Sequence, residues 1–432
     1  MKNSFKNLLL TYEALIVRCM QFLLLGLVLI RWIENANKAI FIDFRMYLKT
    51  AKLIYNGISP YFPEVYKLHI NDFPPLQPPS MSLLFMPLSL LPTSNTLYYI
   101  YYIVSCCAFV VFVTMVFNYY GFRVKDYLKP KYYNLPVCFV AMLIFISIPF
   151  LHTLYSGQNS CFVVLCLFFV LFYPSKDRFL NIFLLGLSAA MKYSLLTFLA
   201  PVLIVQKRLK MSVLAFILFG CMVLAVGFWL NGPIPSLMDY IRLLIDDTKN
   251  GFNSYENANF EYLFIGFFRS KILNLSLKCL MVLLYFITLF RIWKNRSGDA
   301  ETFKFLSATE WCLFSAMTLC VSYHRKQDGL IFLPFLGVIV LKIFYEMSSV
   351  KVEEIIKLII GFSFLVFWTI PTTIIVRIAS WIGKFFPYGK SIFYYSMNLG
   401  GNLFPILQSI MILTICYLCW LEFFQPQNEK PV

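Results

Sequence analysis

Ser212-Val213-Leu214-Ala215-Phe216-Ile217-Leu218-Phe219-Gly220-Cys221-Met222-Val223-Leu224-Ala225-Val226-Gly227-Phe228-Trp229-Leu230 contains no charged side chain, and Lys207, Arg208 and Lys210 stand just before it. It has the length of the roughly 17 to 25 apolar residues that cross a bilayer as a helix. The runs Phe139 to Phe150, Cys279 to Phe290 and Gly361 to Ile370 reach that length once their neighbours are included. The chain as a whole is 60% hydrophobic and 13% charged, against about 45 to 50% and 25% in soluble proteins. Backbone polar groups in lipid must be satisfied within the segment or in a closed barrel, and these runs lack the two-residue alternation of barrel strands. The sequence therefore predicts an all-α polytopic membrane protein, one integral-membrane domain over residues 1–432.

The net charge of +16 does not point to nucleic acid, because Lys and Arg occur in short clusters between apolar runs, where they set topology and meet lipid headgroups. Most of the twelve cysteines also fall inside apolar runs, where Cys acts as a small apolar residue. The pair Cys416 and Cys419 has redox-motif spacing but no polar surroundings. The first run, about Tyr12 to Trp32, follows Lys2 and Lys6 without a small-residue cleavage site after it, and reads as a retained helix.

Basic clusters on the cytoplasmic side give a path of about twelve crossings. Crossings at about Tyr12 to Trp32, Asn95 to Tyr119, Leu135 to Phe150 and Cys161 to Tyr173 come first. The stretch Phe179 to Val205 is broken at Met191-Lys192-Tyr193-Ser194 and reads as a hairpin of two half-crossings with Lys192 at its outer turn. A crossing from Ser212 to Leu230 leads to a polar outer loop, Asn231 to about Asn259. Further crossings fall at about Leu273 to Phe290, in the stretch before Ser322, at Leu330 to Tyr345, at Ile355 to Val376 and at Leu403 to Leu421. On this path His69, His152, His324, Asp43, Lys192, Gln158 and the Asp239/Asp246/Asp247 loop all face the extracytoplasmic side. Such one-sidedness suits an active site at one membrane surface, whereas transporters concentrate titratable groups near the midplane.

Asp43 lies in the first outer loop, about residues 34–93. After it Phe44, Tyr47, Leu48, Ala51, Ile54 and Tyr55 recur at helical spacing with Arg45, Lys49 and Lys52 between them, the pattern of an amphipathic helix at the lipid interface, ended by Gly57. Asp43 reads both as the N-cap of that helix and as a general base at the water-lipid boundary; the two roles are compatible. The proline-dense segment Asn71-Asp72-Phe73-Pro74-Pro75-Leu76-Gln77-Pro78-Pro79 predicts a rigid, non-helical turn, and with Tyr61, His69 and Asp72 it suits a partial lid. His324, in Ser322-Tyr323-His324-Arg325-Lys326-Gln327-Asp328, is either an interfacial residue or a donor to a phosphate leaving group. Lys192 either snorkels or binds a lipid phosphate. Asp246-Asp247 reads as a solvated pair more readily than as a metal site, since adjacent residues on a helix point apart. No nucleotide-binding, catalytic-serine or zinc motif is present.

Phe41-Ile42-Asp43-Phe44 with Tyr47, then Gly57-Ile58-Ser59-Pro60-Tyr61, Phe73-Pro74-Pro75 and Met86-Pro87-Leu88-Ser89-Leu90-Leu91-Pro92 resemble the opening of glycosyltransferase family 87. Gly157-Gln158-Asn159 and Gly186-Leu187-Ser188-Ala189-Ala190-Met191-Lys192 resemble its Gly-Gln and Gly-to-Lys segments, and the Ser322 to Asp328 turn is similar in position to its late histidine loop. Phe73 departs from the usual Tyr, and the His324 turn is more basic than typical.

The resemblance implies the membrane-embedded GT-C architecture and transfer of a sugar, mannose-like, from a polyprenyl-phosphate donor to a glycolipid or glycan acceptor on the extracytoplasmic side of the cell membrane. It implies Asp43 as general base, with His324 and Lys192 steadying the phosphate and Arg325 a further candidate. Gln158 and Asn159 would contact sugar or acceptor, with Tyr61 and Asp72 as additional binding candidates. Cationic side chains at the leaving group imply no metal or other cofactor. A transporter or flippase for a lipid-linked sugar, and a polysaccharide polymerase or ligase, are the alternatives.

Overall fold

The computed structural model describes residues 2–70, 75–123, 126, 129, 131–172, 178–205, 209–251, 271–294, 308, 311–312, 326–331, 333–346, 352–367 and 369. It is all-helical, with no strand among those residues. In chain order the helices are α1 (Lys2–Lys38), α2 (Ile42–Tyr55), α3 (Pro63–His69), α4 (Pro79–Ser89), α5 (Asn95–Tyr119), α6 (Leu135–Phe145), α7 (Ile148–Ser156), α8 (Ser160–Phe172), α9 (Arg178–Val205), α10 (Leu209–Ala225), α11 (Pro233–Gly251), α12 (Lys271–Lys294), α13 (Leu333–Glu346) and α14 (Val352–Phe367). Asp72, His324, Arg325 and the expected crossing at Leu403 to Leu421 lie outside the described residues.

Three described helices are long and apolar enough to span a bilayer: Tyr12–Lys38 within α1, Asn95–Tyr119 and Lys210–Phe228. The pair α6 and α7, bent by 41° at its break, makes a fourth if taken as one span. The chain is thus an integral membrane protein with at least three crossings by this measure, and α5 has the bounds read from the sequence. Its Phe109, Phe112 and Phe117 are almost wholly enclosed, packed among α7, α8 and α13. Phe109 stacks on Phe150 at 4.2 Å, and Phe112 and Phe168 meet at 5.3 Å. The core is largely aromatic because helices in lipid gain no hydrophobic drive against one another and cohere through close packing.

One local expectation is refined and two are corrected. The crossing expected from Leu135 to Phe150 is built of two helices, because Ser147-Ile148-Pro149 starts a new helix, and proline has no N–H to continue the old one. The freed Phe145 carbonyl accepts from the Trp32 indole at 2.9 Å. The polar outer loop after Leu230 contains α11, which starts on Pro233 and Pro235, residues suited to the first helical turn. Tyr240 and Leu243 of α11 are buried, while Ile234, Met238, Ile241 and Ile245 on another face are exposed. The other correction is that Asp43 is not an N-cap: that position is Phe41, and Asp43 is the second residue of α2.

Phe41 takes a left-handed conformation, φ 49° and ψ 34°, which costs a non-glycine residue roughly 1–2 kcal/mol. Tertiary contacts hold it there. The backbone N–H groups of Ile40 and Phe41 both donate to the Tyr155 carbonyl, at 3.1 and 3.0 Å, and the Phe41 ring stacks on Tyr98 at 5.5 Å. At the other end Gly57, φ 75°, closes α2 as the sequence predicts. Its N–H donates to Ile54 and that of Ile58 to Leu53, the paired bonds of a Schellman cap.

Candidate active site

Four elements converge around α2. Its face bearing residues 43, 47, 50 and 54 is buried, with Tyr47 and Phe44 against Phe85 of α4 at 5.2 and 5.9 Å and Phe44 stacked on Tyr101 of α5 at 4.0 Å. Asp43 is 7% exposed. It lies within electrostatic reach of the Tyr101 phenol, as does Cys161 of α8.

The turn between α7 and α8 presses on the start of α2. Gly157, φ 74°, caps α7; an added Cβ would lie 2.8 Å from the Phe44 Cβ, so glycine is required twice over. Gln158, Asn159 and Ser160 follow directly. The Asn159 amide donates to the Met191 carbonyl at 3.2 Å and approaches the Met81 sulfur at 3.3 Å. Ser160 Oγ donates to Gln158 Oε1 at 3.3 Å, and Lys192 Nζ reaches Ser160 Oγ at 3.4 Å.

Lys192 marks a break in α9, where its backbone is extended at φ −159° and ψ 84°. The interruption falls at the residue the sequence reading singled out, as a kink within the helical stretch Arg178–Val205. A break of this kind takes the preceding carbonyls out of the helical ladder, and two of them are sealed from outside. Ser80 Oγ of α4 donates to Ala190 at 3.0 Å, and Asn159 takes Met191. The half-buried Lys192 thus sits at an opening in a helix, facing the polar start of α8.

Gln158, Asn159 and Lys192 therefore share one neighbourhood around Ser160, and Gly157 joins it to the start of α2, which carries Asp43. Tyr61 does not join them. It is buried beside Tyr240 of α11 at 5.5 Å, its hydroxyl has no hydrogen-bond partner among the described residues, and burial pushes the phenol well above its usual range. Tyr240 in turn donates to the Leu76 carbonyl at 3.0 Å, so this pair braces the proline segment. Ser80 and Ser160 were missed by sequence reasoning. Their signal is positional: each stands at a helix start, after Pro78-Pro79 and after Gly157-Gln158-Asn159.

A crevice lined by Tyr47, Thr50, Pro75, Gln77, Met81 and Ser82 begins one helical turn beyond Asp43 on the same face, and only about 10 Å³ of it admits water. A much larger cavity of about 670 Å³ lies on the other face of α2. Asp43 lines neither. The 3-10 helix Lys326–Ile331 packs against α7, the helix that Gly157 caps.

Buried polar groups gathered beside a broken helix, within an aromatic bundle that crosses a membrane, define an integral membrane protein with a candidate active site at one place on the bundle. The model of glycosyltransferase family 87 matches residues 76–321, more than half of the chain, and the chain belongs to that family. It is thus a membrane glycosyltransferase. The matched stretch includes Gln158, Asn159 and Lys192, starts after Asp43 and stops before His324. No curated protein and no solved structure matches.

Proposed function

We propose that the chain transfers a sugar, mannose-like, from a polyprenyl-phosphate donor to a hydroxyl of a glycolipid or glycan, at the extracytoplasmic surface of the cell membrane. Asp43 takes the proton of the acceptor hydroxyl as its oxygen attacks the anomeric carbon. The bond from that carbon to the phosphate oxygen breaks, the configuration inverts, and polyprenyl phosphate leaves with the bonding pair. Lys192 stands where a cation can neutralise the leaving phosphate. Gln158 and Asn159 offer amides to sugar or acceptor hydroxyls. By the family resemblance His324 adds a donor to the phosphate, with Arg325 beside it in sequence, and Asp72 in the proline-dense segment is a further binding candidate. Because side-chain cations serve the leaving group, no metal is required, and a chelator leaves the rate unchanged.

The observation that carries this reading is that the start of α2, through Phe41 and Phe44 on either side of the buried Asp43, and a cation at a helix break meet the same short segment, Gly157 to Ser160. A lipid-linked donor also fits a chain in which no nucleotide-binding motif is present. Asp43 is nearly enclosed, so the Tyr47–Met81 crevice has to widen when substrate enters. In membranes supplied with radiolabelled polyprenyl-phospho-sugars, wild type forms product, and Asp43→Asn, inserted to the same level, loses about 10²- to 10⁴-fold in rate, the usual share of a general base. Full transfer by that variant removes the base assignment. Uptake of label into vesicles with no glycosidic product favours a transporter.

A further inference from the structure

The other face of α2 has no part in this chemistry. Arg45, Lys49 and Lys52 follow one another at four- and three-residue steps, which aligns them along one side of a helix. All three are exposed, and all three line the 670 Å³ cavity, whose remaining wall comes from Ile40, Ile70, the end of α4 through Thr93, and Tyr98 of α5. No carboxylate lines it among the described residues. The Arg45 guanidinium lies over the Tyr98 ring at 5.0 Å, which fixes one cation on a rigid support.

Arg45, Lys49 and Lys52 concentrate positive charge along one wall of the cavity, and that potential draws an anion. The cavity has the size of a small-ligand site. Its polar edge is cationic, and the rest is chiefly apolar, from Ile40, Ile42, Met46, Leu48, Leu90 and Leu91. An anionic head joined to a hydrophobic tail matches both parts. Arg45, Lys49 and Lys52 lie about 200°, 240° and 180° around the helix from Asp43 at 100° per residue, so an anion held by them is separated from the carboxylate by the helix itself.

We propose that this cavity is a binding site for a phosphate-bearing headgroup, distinct from the sugar-transfer site on the opposite face of α2. The inference does not depend on Asp43 being a base. A lipid phosphate and free phosphate share the recognising chemistry, and the test separates them. The detergent-purified full-length chain is titrated calorimetrically with dihexanoyl-phosphatidylglycerol, with the zwitterionic dihexanoyl-phosphatidylcholine, and with inorganic phosphate. Wild type binds the anionic lipid more tightly than the zwitterionic one. Lys49→Gln with Lys52→Gln weakens the anionic lipid about ten-fold or more, since two charge-assisted contacts are lost.

Competition by inorganic phosphate assigns the binding to the phosphate alone; its failure to compete assigns part of the binding to the tail, and both outcomes support the site. Lys52→Glu, a single change at an exposed position, gives the same direction if the double variant is poorly folded. Asp43→Asn keeps wild-type affinity for the anionic lipid even when transfer is lost. Equal affinity of wild type and the two lysine variants for the anionic lipid overturns the proposal, as does a loss of affinity in Asp43→Asn.

Discussion

Among the described residues two helices break, one between α6 and α7 and one at Lys192 within α9, and each break leaves carbonyls that need donors. At the first, the Phe145 carbonyl is closed by the Trp32 indole, with Phe145 and Phe150 edge-on to that ring at 6.0 and 5.8 Å. At the second, Ser80 and Asn159 close the Ala190 and Met191 carbonyls, and the residue at the break is a lysine that reaches Ser160. The same backbone problem is solved once with an aromatic ring and once with small polar groups. The first solution only bends the chain; the second leaves a cation with two amides, next to the glycine on which the Asp43-bearing start of α2 packs. What distinguishes a bend from a site is the chemistry of the seal and not the break.

Several substitutions break or sharpen this contrast. Lys192→Met removes the cation from the second break and raises the donor KM or lowers kcat by about 10- to 100-fold, the worth of a charge-assisted contact, with Lys192→Arg retaining part of the rate; steady-state kinetics on both variants decides it. Asn159→Ala strands the buried Met191 carbonyl, so it lowers unfolding stability by about 1–3 kcal/mol and also lowers turnover. Trp32→Phe strands the Phe145 carbonyl at a comparable cost of about 1–3 kcal/mol, yet turnover per folded molecule is unchanged. Thermal unfolding in detergent and transfer assays on the same preparations separate these two. Gly157→Ala forces a Cβ into a left-handed position against Phe44 and costs about 1–2 kcal/mol, read as a lower melting temperature. Ser80→Ala has the smallest effect, about 0.5–1.5 kcal/mol. Equal loss of turnover in Trp32→Phe and Asn159→Ala ends the distinction between the two breaks.

The second break was legible in the sequence because Met191-Lys192-Tyr193-Ser194 interrupts an otherwise apolar run. The first was not, since Ser147 and Pro149 are too few to stand out against their neighbours. α5 was legible to the residue because its ends are marked by Ser94, which accepts from the Leu97 N–H, and by the turn at Gly121. The place of Asp43 in α2 was misread by two positions, because the helix start is set by the Tyr155 carbonyl, far along the chain. No local signal encodes that. The sequence reading grouped Asp43, Gln158, Asn159 and Lys192 by membrane side; the structure joins Gln158, Asn159 and Lys192 around Ser160 and sets the start of α2 on Gly157. Tyr61 was drawn into the same group by its position in sequence and proved to belong with Tyr240, an α11 residue from a stretch read as a loop. The His324 turn, with Arg325, and Asp72 stand outside the described residues.

The closure of the Lys192 opening draws on three separate stretches of chain, since Ser80 comes from α4, Asn159 from the approach to α8, and the carbonyls from α9. Partners spread this way are inherited together or replaced together. Related chains that lack a hydroxyl at the position of Ser80 are expected to carry a new donor near Ala190, and those without the Asn159 amide to straighten the helix at the lysine. Paired drift at these positions is a trace that descent leaves in sequences, and it can be sought without purifying any protein.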